Sequence, residues 1–96
     1  MTEISLPIDR MENVISVFGS FDQNLRMIET ELGVSVTDRD DQIHISGEAE
    51  NVMIAQKAIN GLLLLASRGE KIDAQNVRYI LKLSREGREA KISELA

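Results

Sequence analysis

The sequence predicts an α+β fold in which helices cover one face of a three-stranded antiparallel sheet, in the order 1-3-2, with an extra helix at the C-terminal end. Three observations predict it. Apolar residues alternate with polar ones in three short segments, recur at helical spacing in the segments between them, and the helical stripes stop at glycines. At 96 residues and 43% hydrophobic content, the chain fits one two-layer domain.

The first predicted element is a strand. Ile4, Leu6 and Ile8 alternate with polar positions or Pro7, as in a strand with one buried face. Because proline has no N–H to donate, Pro7 indicates a strand at the edge of the sheet.

Two short helices joined by a glycine turn should follow. Asp9 and Glu12 have the spacing of a capping box, and the helix that they begin should end at Gly19. Asp22 is the expected N-cap of the second helix. The apolar stripe of that helix is Leu25, Ile28 and Leu32, and Gly33 is its expected stop.

An antiparallel hairpin is predicted next. Val34 and Val36 alternate with polar residues, as do Ile43 and Ile45, and the polar run at 38–41 supplies the turn. Alternation directs His44 away from the face of Ile43 and Ile45.

The longest helix should run from about Glu48 to a stop at Gly69. Its leucines at 62–65 spread around the helix and cannot all face the sheet, so a last helix capped by Asp73 should cover a second side. If it does not, the remaining apolar surface would bind another domain or a second copy of the chain. The candidate interaction surface is Leu62, Leu64 and Leu65.

Composition excludes several classes of protein. The chain has no cysteine and no apolar run long enough to span a bilayer, which predicts a cytoplasmic protein that is neither secreted nor in the membrane. Its net charge of −5 argues against strong non-specific binding to nucleic acid, although a local basic groove remains compatible with it.

The predicted order of elements resembles the type I KH domain, βααββα. KH domains carry a GxxG motif between their first two helices, and the corresponding residues here are Gly19, Ser20, Phe21 and Asp22. The second glycine of that motif is missing.

A closer resemblance is to the N-terminal KH-like region of the PhoH-like, phosphate-starvation-inducible ATPases. It is carried by VFGSFDQNL at 17–25, IE and LGV within 28–34, ISG at 45–47 and RG at 68–69. The resemblance implies a KH-like domain over residues 1–86 and a linker or tail over 87–96, leading to a P-loop ATPase domain that is absent from this chain.

The chain contains no G-x-x-x-x-G-K-[ST] sequence, so ATP and Mg²⁺ are expected only at that absent domain. We expect these 96 residues to have no catalytic activity, no bound cofactor and no metal site. The aspartates at 38, 40 and 41 fit a turn, and His44 has no second ligand or nucleophile beside it in the sequence.

The resemblance, together with the altered loop, implies two alternative functions. One is an accessory module that binds single-stranded RNA for the ATPase; the other is a protein-interaction or homo-oligomerisation module that has lost nucleic-acid binding. An Asp22 carboxylate that caps the second helix would occupy the N–H groups that could meet a phosphate and would repel it. Phe21 could either stack on a base or pack against Leu25 or the first helix. The candidate nucleic-acid surface is Gly19, Ser20, Phe21, Gln23, Asn24, Arg26 and Arg39.

Overall fold

Alternating and helical apolar patterns produce three strands and four helices in the computed structural model, which describes residues 1–87 of the chain. Apart from Gly87, the tail predicted over 87–96 lies outside the described residues. The elements in chain order are β1 (Thr2–Pro7), α1 (Met11–Phe18), α2 (Gln23–Leu32), β2 (Ser35–Arg39), β3 (Gln42–Gly47), α3 (Ala49–Ser67) and α4 (Ala74–Arg85).

The three strands form one antiparallel sheet in the order β1-β3-β2, which confirms the predicted topology. Ile4 and Val36 both lie opposite Ile45, and Pro7 lies opposite Gln42 on the edge strand. Asp40 and Asp41 have φ angles of 53° and 59°, the left-handed pair that a two-residue hairpin turn requires. With the succession of helices, this arrangement is compatible with a KH-like fold.

The core lies between the sheet and the helices. Ile43 and Ile45 are fully buried, and Leu25, Ile28 and Leu32 form the predicted buried stripe of α2, which packs against α1, α3 and α4. Burying each such side chain stabilises the fold by roughly 1.5–3 kcal/mol. The strands and helices that have one apolar face in the sequence therefore pack those faces together in one buried layer.

The start of α1 differs from the prediction. Arg10, not Asp9, occupies the N-cap position, and no side chain caps the helix. Arg10 instead forms an exposed ion pair of 3.1 Å with Glu12. The capping-box spacing of Asp9 and Glu12 was thus a wrong indicator of this helix start.

The end of α3 is covered by α4, as the leucine block predicted. Asp73 caps α4 by accepting from the Asn76 N–H at 2.9 Å, and Val77, Ile80 and Leu81 are buried in the common core. No helix within residues 1–87 is both long and apolar enough to cross a bilayer.

Candidate nucleic-acid interface

A tight turn joins α1 to α2 at the position of the degenerate GxxG motif. Gly19 ends α1 at φ 80°, and a three-residue turn over Ser20–Asp22 leads into α2. Phe21 and Asp22 both have left-handed backbones, with φ angles of 53° and 57°. Such a conformation costs a non-glycine residue roughly 1–2 kcal/mol, so the surrounding structure imposes it.

Phe21 is the most exposed side chain of this turn. Its relative accessibility is 91%, so the interpretation that it packs against Leu25 as local core is wrong. Left-handed backbone at Phe21 directs a large aromatic ring into solvent at the tip of the turn.

Asp22 lies at the N-cap position of α2, as predicted, but does not perform the chemistry of a cap. Its left-handed backbone leaves the side chain without a hydrogen bond to the first amides of the helix. The expectation that this carboxylate occupies those N–H groups is therefore wrong, although its negative charge remains near them.

Asn24 anchors the turn from within. It is 1% exposed, and its amide nitrogen donates to the Ile72 carbonyl oxygen at 3.3 Å. A Cβ placed on Gly19 would lie 2.8 Å from that nitrogen, so both the positive φ and the close approach require glycine. Within the described residues, the buried Asn24 Oδ1 has no hydrogen-bond partner.

The turn and the segment between α3 and α4 enclose a groove of about 620 Å³, which we call the loop groove. Four of the predicted residues line it together: Gly19, Ser20, Gln23 and Asn24. The opposite wall was not predicted from the sequence, because only tertiary packing brings residues some fifty positions apart together. The other lining residues are Ile15, Ser16, Glu70, Lys71, Ile72, Asp73 and Ala74.

The remaining predicted residues lie outside that lining. Arg26 is exposed on α2, one turn beyond Gln23. Arg39 ends β2 beside the hairpin turn, where the Ile8 N–H donates to the Asp41 carbonyl oxygen close to the start of α1. Because the loop groove lies at the other end of α1, about 12 Å away along the helix, the fold separates Arg39 from it.

Glu29, on α2, makes a contact with the sheet that the sequence analysis did not predict. Its carboxylate accepts from the Val36 N–H at 2.9 Å on the outer side of β2. Since β2 is an edge strand, this bond satisfies one of the donors that an edge exposes.

The predicted leucine surface is divided by the fold. Leu62 and Leu65 are 0% and 3% exposed and belong to the core, so only Leu64, at 38%, reaches solvent. Leu62 and Leu65 are therefore the two of the four leucines at 62–65 that the fold buries, and Leu63 is partly buried against the same core.

His44 lies on the outer face of β3, as alternation predicted. Its Nδ1 atom is 3.0 Å from Ser5 Oγ and 3.4 Å from the Glu3 carboxylate. Within residues 1–87, no group of three or more His, Cys, Asp or Glu side chains is arranged to hold a metal ion.

Comparison with known proteins gives one consistent group of relatives. A PhoH-like protein of Bacillus subtilis (strain 168) is 30% identical over 74 residues, which cover 77% of this chain and 23% of that protein. A PhoH-like protein of Mycobacterium leprae is 32% identical over 66 residues, or 69% of this chain and 19% of that protein. The PhoH-like protein of Mycobacterium tuberculosis is 29% identical over the same share of both.

The chain therefore spans about a fifth of the length of the curated relatives that it matches. No protein-family profile matches it, and no solved structure matches it significantly.

Proposed function

Because the chain is homologous to one region of the PhoH-like proteins, we propose that it is an accessory module that binds single-stranded RNA beside an ATPase domain. On this proposal the module is KH-like, works in the cytoplasm and performs no catalysis itself. ATP and Mg²⁺ would bind the ATPase domain, because these 96 residues contain no P-loop sequence.

The observation that carries the proposal is the exposed ring of Phe21. A strained backbone that holds an aromatic side chain in water is expensive for the fold and is typical of functional sites. Stacking of an unpaired base on such a ring contributes about 1–3 kcal/mol to the binding free energy. Phe21 is thus the side chain best suited to hold a splayed base.

The loop groove beside Phe21 offers polar contacts for the rest of a nucleotide. Ser20 and Gln23 supply donors and acceptors, and Lys71 supplies a cation from the opposite wall. Glu70 and Asp73 lie in the same lining, so the local charge is mixed. The expected affinity of this site alone is therefore modest and depends on stacking more than on phosphate attraction.

A protein-interaction or homo-oligomerisation module is the second candidate function. It is favoured by Met53 and Leu64, which are 57% and 38% exposed on α3. Leu64 also lines a groove of about 220 Å³ together with Pro7 and Ile8. These apolar residues would suit the absent ATPase domain or a second copy of the chain.

The experiment that separates the two is a titration of fluorescein-labelled oligouridylate at low and moderate salt. We expect saturable, salt-weakened binding that Phe21→Ala and Arg26→Glu both reduce, while Leu64→Ala, at the distant α3 surface, leaves it unchanged. Absence of binding by the unmodified chain at low salt, with a mass that rises with concentration in sedimentation, would establish the protein-interaction function instead.

A further inference from the structure

Charge is distributed unevenly along the chain. Residues 68–85 contain five basic and two acidic side chains, a net charge of +3 within a protein whose net charge is −5. All three charged residues of α4 are basic. The C-terminal part of the fold is therefore a positively charged region on an acidic protein.

The three basic side chains of α4 lie along one side of the helix. Arg78, Lys82 and Arg85 are spaced by four and three residues, which places them in one row, and they line a common surface depression. We call this row the α4 basic face. Two acids line the same depression: Glu31, whose carboxylate lies 3.6 Å from Arg85, and Glu86.

Two of these three cations are uncommitted. Arg85 donates to the Glu31 carbonyl oxygen at 2.7 Å and thereby joins the ends of α4 and α2. Across the part of the chain that the structure describes, neither the Arg78 guanidinium nor the Lys82 ammonium has an ion-pair partner. Both are exposed and available to an anionic ligand.

The α4 basic face continues from the loop groove. Ala74, the first residue of α4, lines that groove and lies in the same helical row as Arg78 and Lys82. The helices α2 and α4 run side by side away from the groove, since Asn24 meets Ile72 near their starts and Glu31 meets Arg85 near their ends. A chain that enters the groove therefore has a continuous surface along α4.

The opposite route, along the edge of β2, is unfavourable for a polyanion. The hairpin at its end carries three acids, Asp38, Asp40 and Asp41, against one cation, Arg39. The Val36 N–H on that edge is already bound by the Glu29 carboxylate. Repulsion and the missing donor both disfavour a nucleic-acid strand there.

We propose that single-stranded nucleic acid leaves the loop groove along α4, with Arg78 and Lys82 binding consecutive parts of its phosphate backbone. This proposal rests on the proposed function and adds the residues that supply its electrostatic affinity. Residues four apart on a helix are about 6 Å apart along its axis, so the two cations contact different phosphates. Phe21 holds a base, and the α4 basic face holds the backbone.

The test measures the salt dependence of oligouridylate binding. The Arg78→Gln/Lys82→Gln double variant is compared with Arg10→Glu, which lies at the start of α1 and changes the net charge equally, from −5 to about −7. We expect the double variant to make the negative slope of log K against log salt shallower by about 1.4 and to weaken binding roughly tenfold or more near 0.1 M salt. Arg10→Glu should leave the slope unchanged, and Arg78→Lys/Lys82→Arg should restore it.

Circular dichroism and urea unfolding verify that each variant is folded before its slope is read. If the unmodified chain binds RNA and the double variant keeps the full slope, this inference fails while the proposed function stands. Absence of binding by the unmodified chain at low salt removes both. A double variant with an unchanged RNA slope that instead loses self-association in sedimentation would assign the α4 basic face to an acidic protein surface and overturn the proposal.

Discussion

The Asn24 side chain donates a hydrogen bond of 3.3 Å to the Ile72 carbonyl oxygen and so ties the first turn of α2 to the segment that precedes α4. The two walls of the loop groove are held together by this partly buried contact. The Asn24 side chain supports the groove from the protein interior, because it is almost completely buried. Its expected role is to position the two walls of the groove, whose Ser20, Gln23 and Lys71 side chains would contact the ligand.

Replacement of Asn24 tests this role. Asn24→Ala should lower the free energy of unfolding by about 1–3 kcal/mol, since it leaves a partly buried carbonyl oxygen without its donor. Asn24→Asp should cost more, because a buried carboxylate would face that same carbonyl oxygen. Urea unfolding followed by circular dichroism measures both; equal stability of the two variants would contradict a buried donor at this position.

Substitution of Phe21 should weaken RNA binding without a comparable change in the free energy of unfolding. Phe21→Gly relieves the left-handed strain, so we expect the free energy of unfolding to stay within about 1 kcal/mol of the original. Loss of the ring should nevertheless weaken oligouridylate binding by about 1–3 kcal/mol. Thermal unfolding and fluorescence anisotropy measure the two quantities.

Phe21→Ala is the matched control because it removes the ring and keeps the strain. It should bind RNA as weakly as Phe21→Gly but unfold more easily. If both variants bind as tightly as the original chain, Phe21 has no part in recognition.

The sheet and its helices could be predicted because each of their patterns is local. Ile43 and Ile45 alternate with polar residues, and Gly19 and Gly33 end their helices with positive φ angles. Local spacing failed at Asp9 and Glu12, where the helix begins one residue later without a side-chain cap.

Half of the loop groove could not be predicted, for a different reason. Lys71 reaches it only because the packing of α3 against α4 returns the chain to the turn at Gly19. The row of Arg78, Lys82 and Arg85 is visible in the sequence, but its direction relative to the groove depends on the Asn24 and Arg85 contacts. Tertiary proximity of this kind leaves no local signal.

Glu29 should protect the edge of the sheet. Glu29→Ala removes the acceptor of the Val36 N–H, so we expect the free energy of unfolding to fall by about 1–2 kcal/mol. The Val36 amide should also exchange its hydrogen faster. Glu29→Gln keeps an acceptor oxygen and should preserve most of the protection. Hydrogen exchange followed by NMR measures the protection of each amide. An unchanged exchange rate at Val36 in Glu29→Ala would contradict a protective role for Glu29.

The leucines of α3 should divide into a core residue and a surface residue. Leu62 is fully buried, so Leu62→Ala should cost about 2–5 kcal/mol through lost burial and the cavity that remains. Leu64 is 38% exposed, and Leu64→Ala should cost less than about 1 kcal/mol. Because Leu64→Ala leaves the fold intact, sedimentation of this variant also reports on assembly. If the chain self-associates through this part of α3, Leu64→Ala should lower the apparent mass measured in sedimentation. An unchanged apparent mass would mean that any self-association uses another surface.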